Sequence, residues 1–250
     1  MRETWRLIDS GPGHPCYNMA LDEALMRLAG EGVVVRFYSW EPPGLSLGYF
    51  QDAARFDAKK LESEGIVLVR RPTGGGAIFH YEELTFAVAA AIDASAQLGS
   101  TIEKRYENIH GAVIKALAAL GVGSRMRGGG LDPPFSPSEH KLCFNRTIGC
   151  DIVAAGRKLV GSAQRKTPDG LLQHGSIPLR RNPMTPGAAW VSELAGRNVE
   201  YAELAAALAE EFETLAGRSL ERSGPSREES ALAEKLVKER YSDDSWNLKR

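Results

Sequence analysis

Two hydrophobic periods run along this chain, and the switches between them mark out its elements. Residues 4–9 alternate apolar and polar side chains and predict a strand. Asn18 stands as an N-cap ahead of Leu21, Leu25 and Leu28, which recur at helical spacing before Gly30. Residues 32–38 (Gly-Val-Val-Val-Arg-Phe-Tyr) are β-branched and aromatic, hence a strand, and 45–50 read the same way. Residues 52–64 predict a helix through Ala53, Phe56 and Leu61; 65–70 predict a buried strand and 84–92 another. Ser100 with Glu103 reads as a capping box for a helix bearing Ile102, Tyr106, Ile109, Val113, Leu117 and Leu120, closed by Gly121. The Gly/Pro/Ser-rich residues 127–140 predict a mobile surface loop. Short strands follow around 150–154 and 157–163, joined by a hairpin-like turn at Ala155-Gly156, then a strand at 171–179. An amphipathic helix is predicted at 201–215, and a last helix opens at Ser226 and Glu229 with Leu232 and Leu236 on it. Helices interleave irregularly with strands, without βαβ alternation. That order predicts an α+β fold with a mixed or largely antiparallel sheet.

Composition narrows the classes. The 250 residues carry 31 Lys+Arg against 32 Asp+Glu, a formal net charge of −1, so a basic, non-specific nucleic-acid binder is not expected. At 43% hydrophobic and 25% charged, the chain is not of disordered type. Its length suits one large domain over 1–250, or one domain with an appendage, with 221–250 as a helical tail. No apolar run approaches the ~18 residues of a membrane span, and the first residues carry no signal-peptide pattern, so no membrane partner is expected. Three cysteines, Cys16, Cys143 and Cys150, fit free thiols in a reducing cytoplasm. Without Cys-x-x-Cys or His-x-x-x-His pairs, no metal site is expected.

Glycine, at 26 residues, is in excess, and its placement is informative. Arg70-Arg71-Pro72-Thr73-Gly74-Gly75-Gly76-Ala77-Ile78-Phe79-His80 leaves one predicted strand and enters another apolar segment. Glycines without Cβ let a backbone approach a ligand and offer N–H groups to its oxygens. No Gly-Lys-Ser/Thr follows, so this is not a Walker loop, and no helix follows, so it is not a Rossmann fingerprint. A flexible hairpin turn with two solvated arginines is the plainer alternative. A second stretch adds weight: Gly156-Arg157-Lys158-Leu159-Val160-Gly161-Ser162-Ala163-Gln164, then Gln173-His174-Gly175-Ser176-Ile177. Lys158 beside a turn is either an exposed surface residue or a cation aimed into a pocket, able to hold a carbonyl or carboxylate oxygen.

These stretches together resemble the biotin/lipoate protein ligase superfamily, most of all its cysteine-containing octanoyltransferases of the LipM type. Trp5-Arg6-Leu7-Ile8-Asp9-Ser10, Asn18-Met19-Ala20-Leu21-Asp22-Glu23, Arg36-Phe37-Tyr38-Ser39-Trp40-Glu41-Pro42, Leu45-Ser46-Leu47-Gly48-Tyr49-Phe50-Gln51 and Tyr241-Ser242-Asp243-Asp244-Ser245-Trp246-Asn247 extend the resemblance, in order, over nearly the whole chain. It implies the superfamily's α+β mixed sheet with packed helices. It implies transfer of octanoyl from octanoyl-acyl carrier protein to a lysine of a lipoyl domain, such as glycine cleavage H protein, through a thioester on Cys143. Cys143 precedes Lys158 at the spacing of the transferase nucleophile. An octanoyl thioester is already activated, so no cofactor is implied. Lys158 would favour the thiolate and hold the carbonyl as charge develops on it.

On the same resemblance Arg71, Thr73, Gly74, Gly75, Gly76, His80, Gly161, Ser162, Ala163, His174 and Gly175 would bind substrate. His80 suits a structural hydrogen bond as well as a substrate contact, and His174 suits support beneath the pocket. Cys150 and Cys16 read as packing; Trp40 and Phe86 read as core, with a share in an acyl tunnel open to them. The basic pairs Arg70/Arg71, Arg157/Lys158, Arg165/Lys166 and Arg180/Arg181 are either solvated surface or a patch for acidic carrier domains. The chain departs from the family pattern in three places, one of them a longer, unusual Gly-rich stretch before Cys143. His80-Tyr81 stands where His-Asp is common, and Gly-Gly-Gly, as in the ligases, stands where the transferases often have Gly-Gly-Arg. The alternatives are an ATP-dependent lipoate ligase using ATP and Mg, an octanoyl amidotransferase between lipoyl domains, and a catalytically silent carrier-binding protein.

Overall fold

The computed structural model describes residues 4–30, 32–128, 142–145 and 149–249. The elements in chain order are β1 (Trp5–Gly13), α1 (Pro15–Leu28), β2 (Val33–Trp40), β3 (Gly44–Leu47), α2 (Ala58–Ser63), β4 (Val67–Arg70), β5 (Ile78–His80), β6 (Glu83–Ala90), α3 (Ile102–Ala119), β7 (Arg125–Met126), β8 (Ile152–Ala154), β9 (Arg157–Lys166), β10 (Leu171–Pro178), α4 (Val191–Leu194), α5 (Tyr201–Ala216), β11 (Glu221–Arg222), α6 (Arg227–Leu236) and α7 (Asp244–Asn247). Among the described residues, eight strands form one sheet in the order β11-β1-β2-β6-β10-β9-β8-β7, and three form a second, β4-β3-β5. β1 is parallel to both of its neighbours, while the pairs from β2 to β7 are antiparallel. In the small sheet β3 is parallel to β4 and antiparallel to β5. The fold is therefore the mixed α+β arrangement that the element order predicts.

Strand alternation divides the core. Val33, Val35 and Phe37 of β2 and Leu84, Phe86 and Val88 of β6 face α3 and α5, meeting Ile109, Val113, Leu208 and Phe212. Each such side chain, fully removed from water, contributes roughly 1.5–3 kcal/mol. Val34, Tyr38, Ala87 and Ala89 face the other way, toward Met19, Leu21, Leu25 and Leu236 of α1 and α6. Alanines on β6 let α1 lie close to the sheet. At Gly175 no side chain is tolerated, because a Cβ there would sit 2.6 Å from the Phe86 ring. No helix among the described residues is long and apolar enough to cross a membrane.

Several local expectations change. His14, not Asn18, caps α1; its ring accepts from the Cys16 N–H at 3.3 Å, and Pro15 takes the first turn. Asn18 is buried inside the helix, donating to Gly13 O and Ser39 O and accepting from Arg36. The stretch 52–64 is not one helix. Asp52 caps a single 3₁₀ turn, the chain extends at Phe56, and Asp57 caps α2. Two side-chain caps so close together end one turn and start another. Thr101 rather than Ser100 caps α3, accepting from Lys104 N at 3.1 Å, and Ile102 lies exposed. The Ser226/Glu229 capping box forms, but α7 follows α6. Of the loop expected at 127–140, residues 127 and 128 are described and the rest lies outside the described residues.

Candidate active site

The hairpin of β8 and β9 turns through Ala155 and Gly156, both at positive φ (49° and 75°). That is the conformation of a tight two-residue hairpin turn. The pairing then skips. Val153 opposes Lys158 and Ile152 opposes Val160, so β9 carries Leu159 as an extra residue. Such a bulge re-aims the side chains beside it. Lys158 thereby shares a side with Gly161, where a Cβ would sit 2.8 Å from Lys158 Cε and 3.7 Å from Cys143 Sγ.

Lys158 is 4% exposed. Its ammonium meets Asp151 Oδ2 at 2.8 Å and donates to Cys143 Sγ at 3.3 Å and Cys143 O at 3.2 Å. Burial works to lower its pKa, but the Cys143 sulfur and the Asp151 carboxylate outweigh burial and hold it above the ordinary lysine value. The group therefore stays cationic at neutral pH. Cys143 opens a 3₁₀ turn, Cys143–Asn145, and its N–H donates to Ala77 O at 2.6 Å. This places the thiol against the glycine loop. A Cβ on Gly76 would lie 3.0 Å from Cys143 N and 3.1 Å from its Cα, so any side chain there would have to push the Cys143 backbone away by a few tenths of an ångström. Cys150 differs: it is buried, and burial first, then the neighbouring Asp151 carboxylate, push its thiol up to about 12.

The glycine loop is braced from below. Arg71 is 3% exposed; it donates to Gly74 O and Gly76 O at 2.7 Å each, and to Ser46 O at 3.0 Å. Burial pushes the guanidinium down to about 10. Gly75, at φ 92°, turns its carbonyl onto Gly48, where a Cβ would sit 2.0 Å away. Arg70 is fully buried among backbone carbonyls. The pair Arg70/Arg71 and Lys158 therefore cannot be a surface patch for a carrier; the arginines hold backbone carbonyls and Lys158 meets Asp151 and Cys143.

Beneath the loop a small cavity of about 20 Å³ lies between the two sheets, with Met19, Tyr38, Trp40, Ile78 and Ala163 in its walls. Two buried polar relays flank it. In one, Thr73 Oγ1 is 2.7 Å from His174 Nε2, His174 Nδ1 is 2.9 Å from Asp22, and Asp22 takes Arg36 at 2.7 Å and the Tyr38 hydroxyl at 2.8 Å. Burial favours protonated Asp22, yet His174 and Arg36 win and lower its pKa. In the other, Ser46 Oγ is 2.7 Å from His80 Nε2, His80 Nδ1 is 2.7 Å from Glu83, and Glu83 also accepts from Thr85 and Ser176. Burial lowers the His80 pKa against the pull of Glu83. Trp40 stacks on His80 at 3.7 Å between centroids.

The structure thus gathers Cys143, Lys158, Gly76 and Gly161 at one point. Arg71, His80, Ala163, His174 and Gly175 line the cavity, Thr73 is tied to His174, and Gly74 and Gly75 form the loop between. Ser162 is not brought to the cavity: its hydroxyl meets His110 Nε2 at 2.7 Å beneath α3. Sequence reasoning gave no role to Asp151, Asp22, Ser46 or Glu83. For Asp151 a signal existed, an acid entering one strand of the hairpin whose other strand holds Lys158. For the others, partners far apart in sequence left none.

A family model for the lipoyl protein ligase A/B catalytic domain matches residues 14–185. An octanoyltransferase LipM of Symbiobacterium thermophilum is 34% identical over 100% of this chain and 100% of its own length. Its namesake in Bacillus subtilis is 32% identical, over 100% and 99%. Among solved structures, a bi-partite lipoate protein ligase of Thermoplasma acidophilum superposes with TM-score 0.79 at 25% identity, over 100% of this chain and 98% of its own. A lipoate-protein ligase A bound with ATP gives 0.80 at 25%, over 99% of each. Matched by the family model over most of its length and aligned end to end with these relatives, the chain belongs to the lipoyl protein ligase A/B catalytic-domain family.

Proposed function

We propose that this protein is an octanoyltransferase of lipoate biosynthesis, carrying octanoyl from acyl carrier protein to the lysine of a lipoyl domain, such as glycine cleavage H protein, through an acyl-Cys143 thioester. The observation that carries this reading is the Lys158 ammonium 3.3 Å from Cys143 Sγ. The ammonium donates to the sulfur and stands where negative charge would gather as the thiol reacts. The thiolate attacks the thioester carbonyl of octanoyl-carrier; a new carbon–sulfur bond forms, the old one breaks, and the carrier leaves as its thiolate, which takes a proton from water. Lys158 stabilises the charge gathering on the carbonyl oxygen. The acceptor lysine, as free amine, then attacks acyl-Cys143. An amide forms, Cys143 leaves as thiolate, and the amine's surplus proton is released. Both steps start from thioesters, so no nucleotide is consumed. The apolar walls Met19, Trp40 and Ile78 would pack on the alkyl chain once they part to widen the cavity, and glycines 74–76 give the thioester room to approach. Free thiols at all three cysteines suit a cytoplasmic site of action.

The test is intact mass after incubation with octanoyl-acyl carrier protein without ATP. One octanoyl adduct is expected, absent in Cys143→Ser and present in Cys150→Ser. No adduct, together with ATP-dependent labelling of a lipoyl domain from free octanoate, would instead establish the ligase chemistry. The resemblance in fold to an ATP-bound ligase makes that the reading to beat.

A further inference from the structure

The rim of the site carries a cationic, aromatic cluster built partly by residues 246–249. Arg70 brings them there. Its guanidinium donates to Gly48 O and Gln51 O at 2.9 and 2.6 Å, and to Trp246 O, Asn247 O and Lys249 O at 3.0, 3.1 and 2.6 Å. Its backbone N–H donates to Asn247 Oδ1 at 2.8 Å. Residues 246–249 are thereby laid against the loop 48–51. Lys249 Nζ comes to 4.1 Å from the Tyr49 ring centroid and 3.7 Å from that of Trp246, and the Arg165 guanidinium to 4.9 Å from Tyr49. Tyr49 N–H donates to Thr73 O and Arg165 to Pro72 O, so the cluster is fastened to the segment that enters the glycine loop. Phe50 meets Tyr49 edge-on and is 78% exposed.

Carboxylates near the cluster serve other cations: Asp52 favours charged Arg70, and Glu23 pairs with Arg240. Among the described residues neither Lys249 nor Arg165 has a carboxylate partner. Arg70, Arg240 and Arg165 all add to burial in lowering the Lys249 pKa. Cations held together on ring faces, without a carboxylate between them, are a seat for a phosphate. An exposed phenyl ring beside that seat offers apolar contact to a partner of appreciable size.

We propose that Tyr49, Phe50, Arg165 and Lys249 form the docking surface for the donor carrier protein, with Lys249 and Arg165 receiving the phosphodiester of its prosthetic arm and Phe50 packing on the carrier itself. This rests on the octanoyl-carrier reading above. The donor, rather than the acceptor, is the occupant because the donor's arm carries a phosphate, whereas the acceptor presents a lysine side chain with none.

Steady-state kinetics of Lys249→Glu and Phe50→Ala test the surface. The Lys249 side chain takes no part in the Arg70 bonds, so both variants should keep the melting temperature of the unmodified protein. The KM for octanoyl-carrier should rise roughly tenfold or more, with kcat within about twofold. Rates from octanoyl-pantetheine, which lacks the phosphate, and the KM for the lipoyl domain should be unchanged. Lys249→Arg should restore the donor KM, and added salt should narrow the gap between the unmodified protein and Lys249→Glu. An unchanged donor KM in both variants overturns the proposal. So does an equal loss with octanoyl-pantetheine, or a rise confined to the lipoyl-domain KM. If the unmodified protein accepts octanoyl from neither thioester, the octanoyl-carrier reading itself falls and this surface falls with it.

Discussion

Cys143 and Cys150 sit at opposite ends of one buried ion pair. The ammonium of Lys158 faces Cys143 at 3.3 Å, while the carboxylate of Asp151 lies beside Cys150 and, with burial, pushes that thiol up to about 12. The residue type is the same and the two are close in sequence. What differs is which end of the Lys158–Asp151 dipole each one meets, and on the function proposed above that difference separates the nucleophile from packing. The bulge at Leu159 sets the polarity of the arrangement, because it turns Lys158 toward Gly161 and Cys143.

The largest effect expected from breaking this contrast is on chemistry. Cys143→Ala should lower kcat/KM for octanoyl transfer by at least about 10⁴-fold, and Cys150→Ala by no more than about threefold. Similar losses in both would dissolve the distinction. Next, Lys158→Met should reduce kcat by about 10²–10³-fold. It also takes the ammonium partner from buried Asp151, a loss of about 3–5 kcal/mol in denaturant unfolding. Adding Asp151→Leu should recover stability but not rate, which separates the structural from the chemical part of the pair. A smaller effect is expected of Gly161→Ala, whose methyl would meet the Lys158 side chain at 2.8 Å; kcat should fall by about 10–100-fold with KM little changed.

The smallest effect is thermodynamic. The fold favours the neutral Cys150 thiol, since its native pKa is raised to about 12 from an unfolded value near ~8.5. Its contribution is therefore complete below about pH 8.5 and lost as pH rises toward 12. Melting temperatures of the unmodified protein and of Cys150→Ala, compared across that window, should converge as pH rises. A constant difference would mean that Cys150 does not titrate as placed.

Residues that act through their own neighbours in sequence were legible beforehand. The glycine loop announces itself through Gly74-Gly75-Gly76 between two apolar runs, and the β8–β9 turn through Ala155-Gly156. The Ser226/Glu229 capping box needs only four residues to be seen. Legibility failed where the partner is distant or the geometry irregular. Asn18 looks like a helix cap because its type is right, yet its bonds go to Gly13, Ser39 and Arg36. Arg70 and Arg71 look like surface cations, and only the tertiary fold surrounds them with carbonyls. Ser162 looks like part of a pocket strand, but alternation turns it toward His110. Nothing in the order of residues marks the bulge at Leu159, though it decides which way Lys158 points.

The Arg70 brace also bears on when the site can be completed during folding. Its bonds to Asn247 and Lys249 span 177 and 179 positions, among the most non-local contacts in the chain. Contacts of such separation require the closure of long loops and form late. The β-strands that carry Lys158 and the glycine loop can pair while the chain is still being made, but the loop 48–51 gains its outer support only after residue 249 has been synthesised. A nascent or truncated chain would therefore possess the Cys143–Lys158 pair without its finished rim.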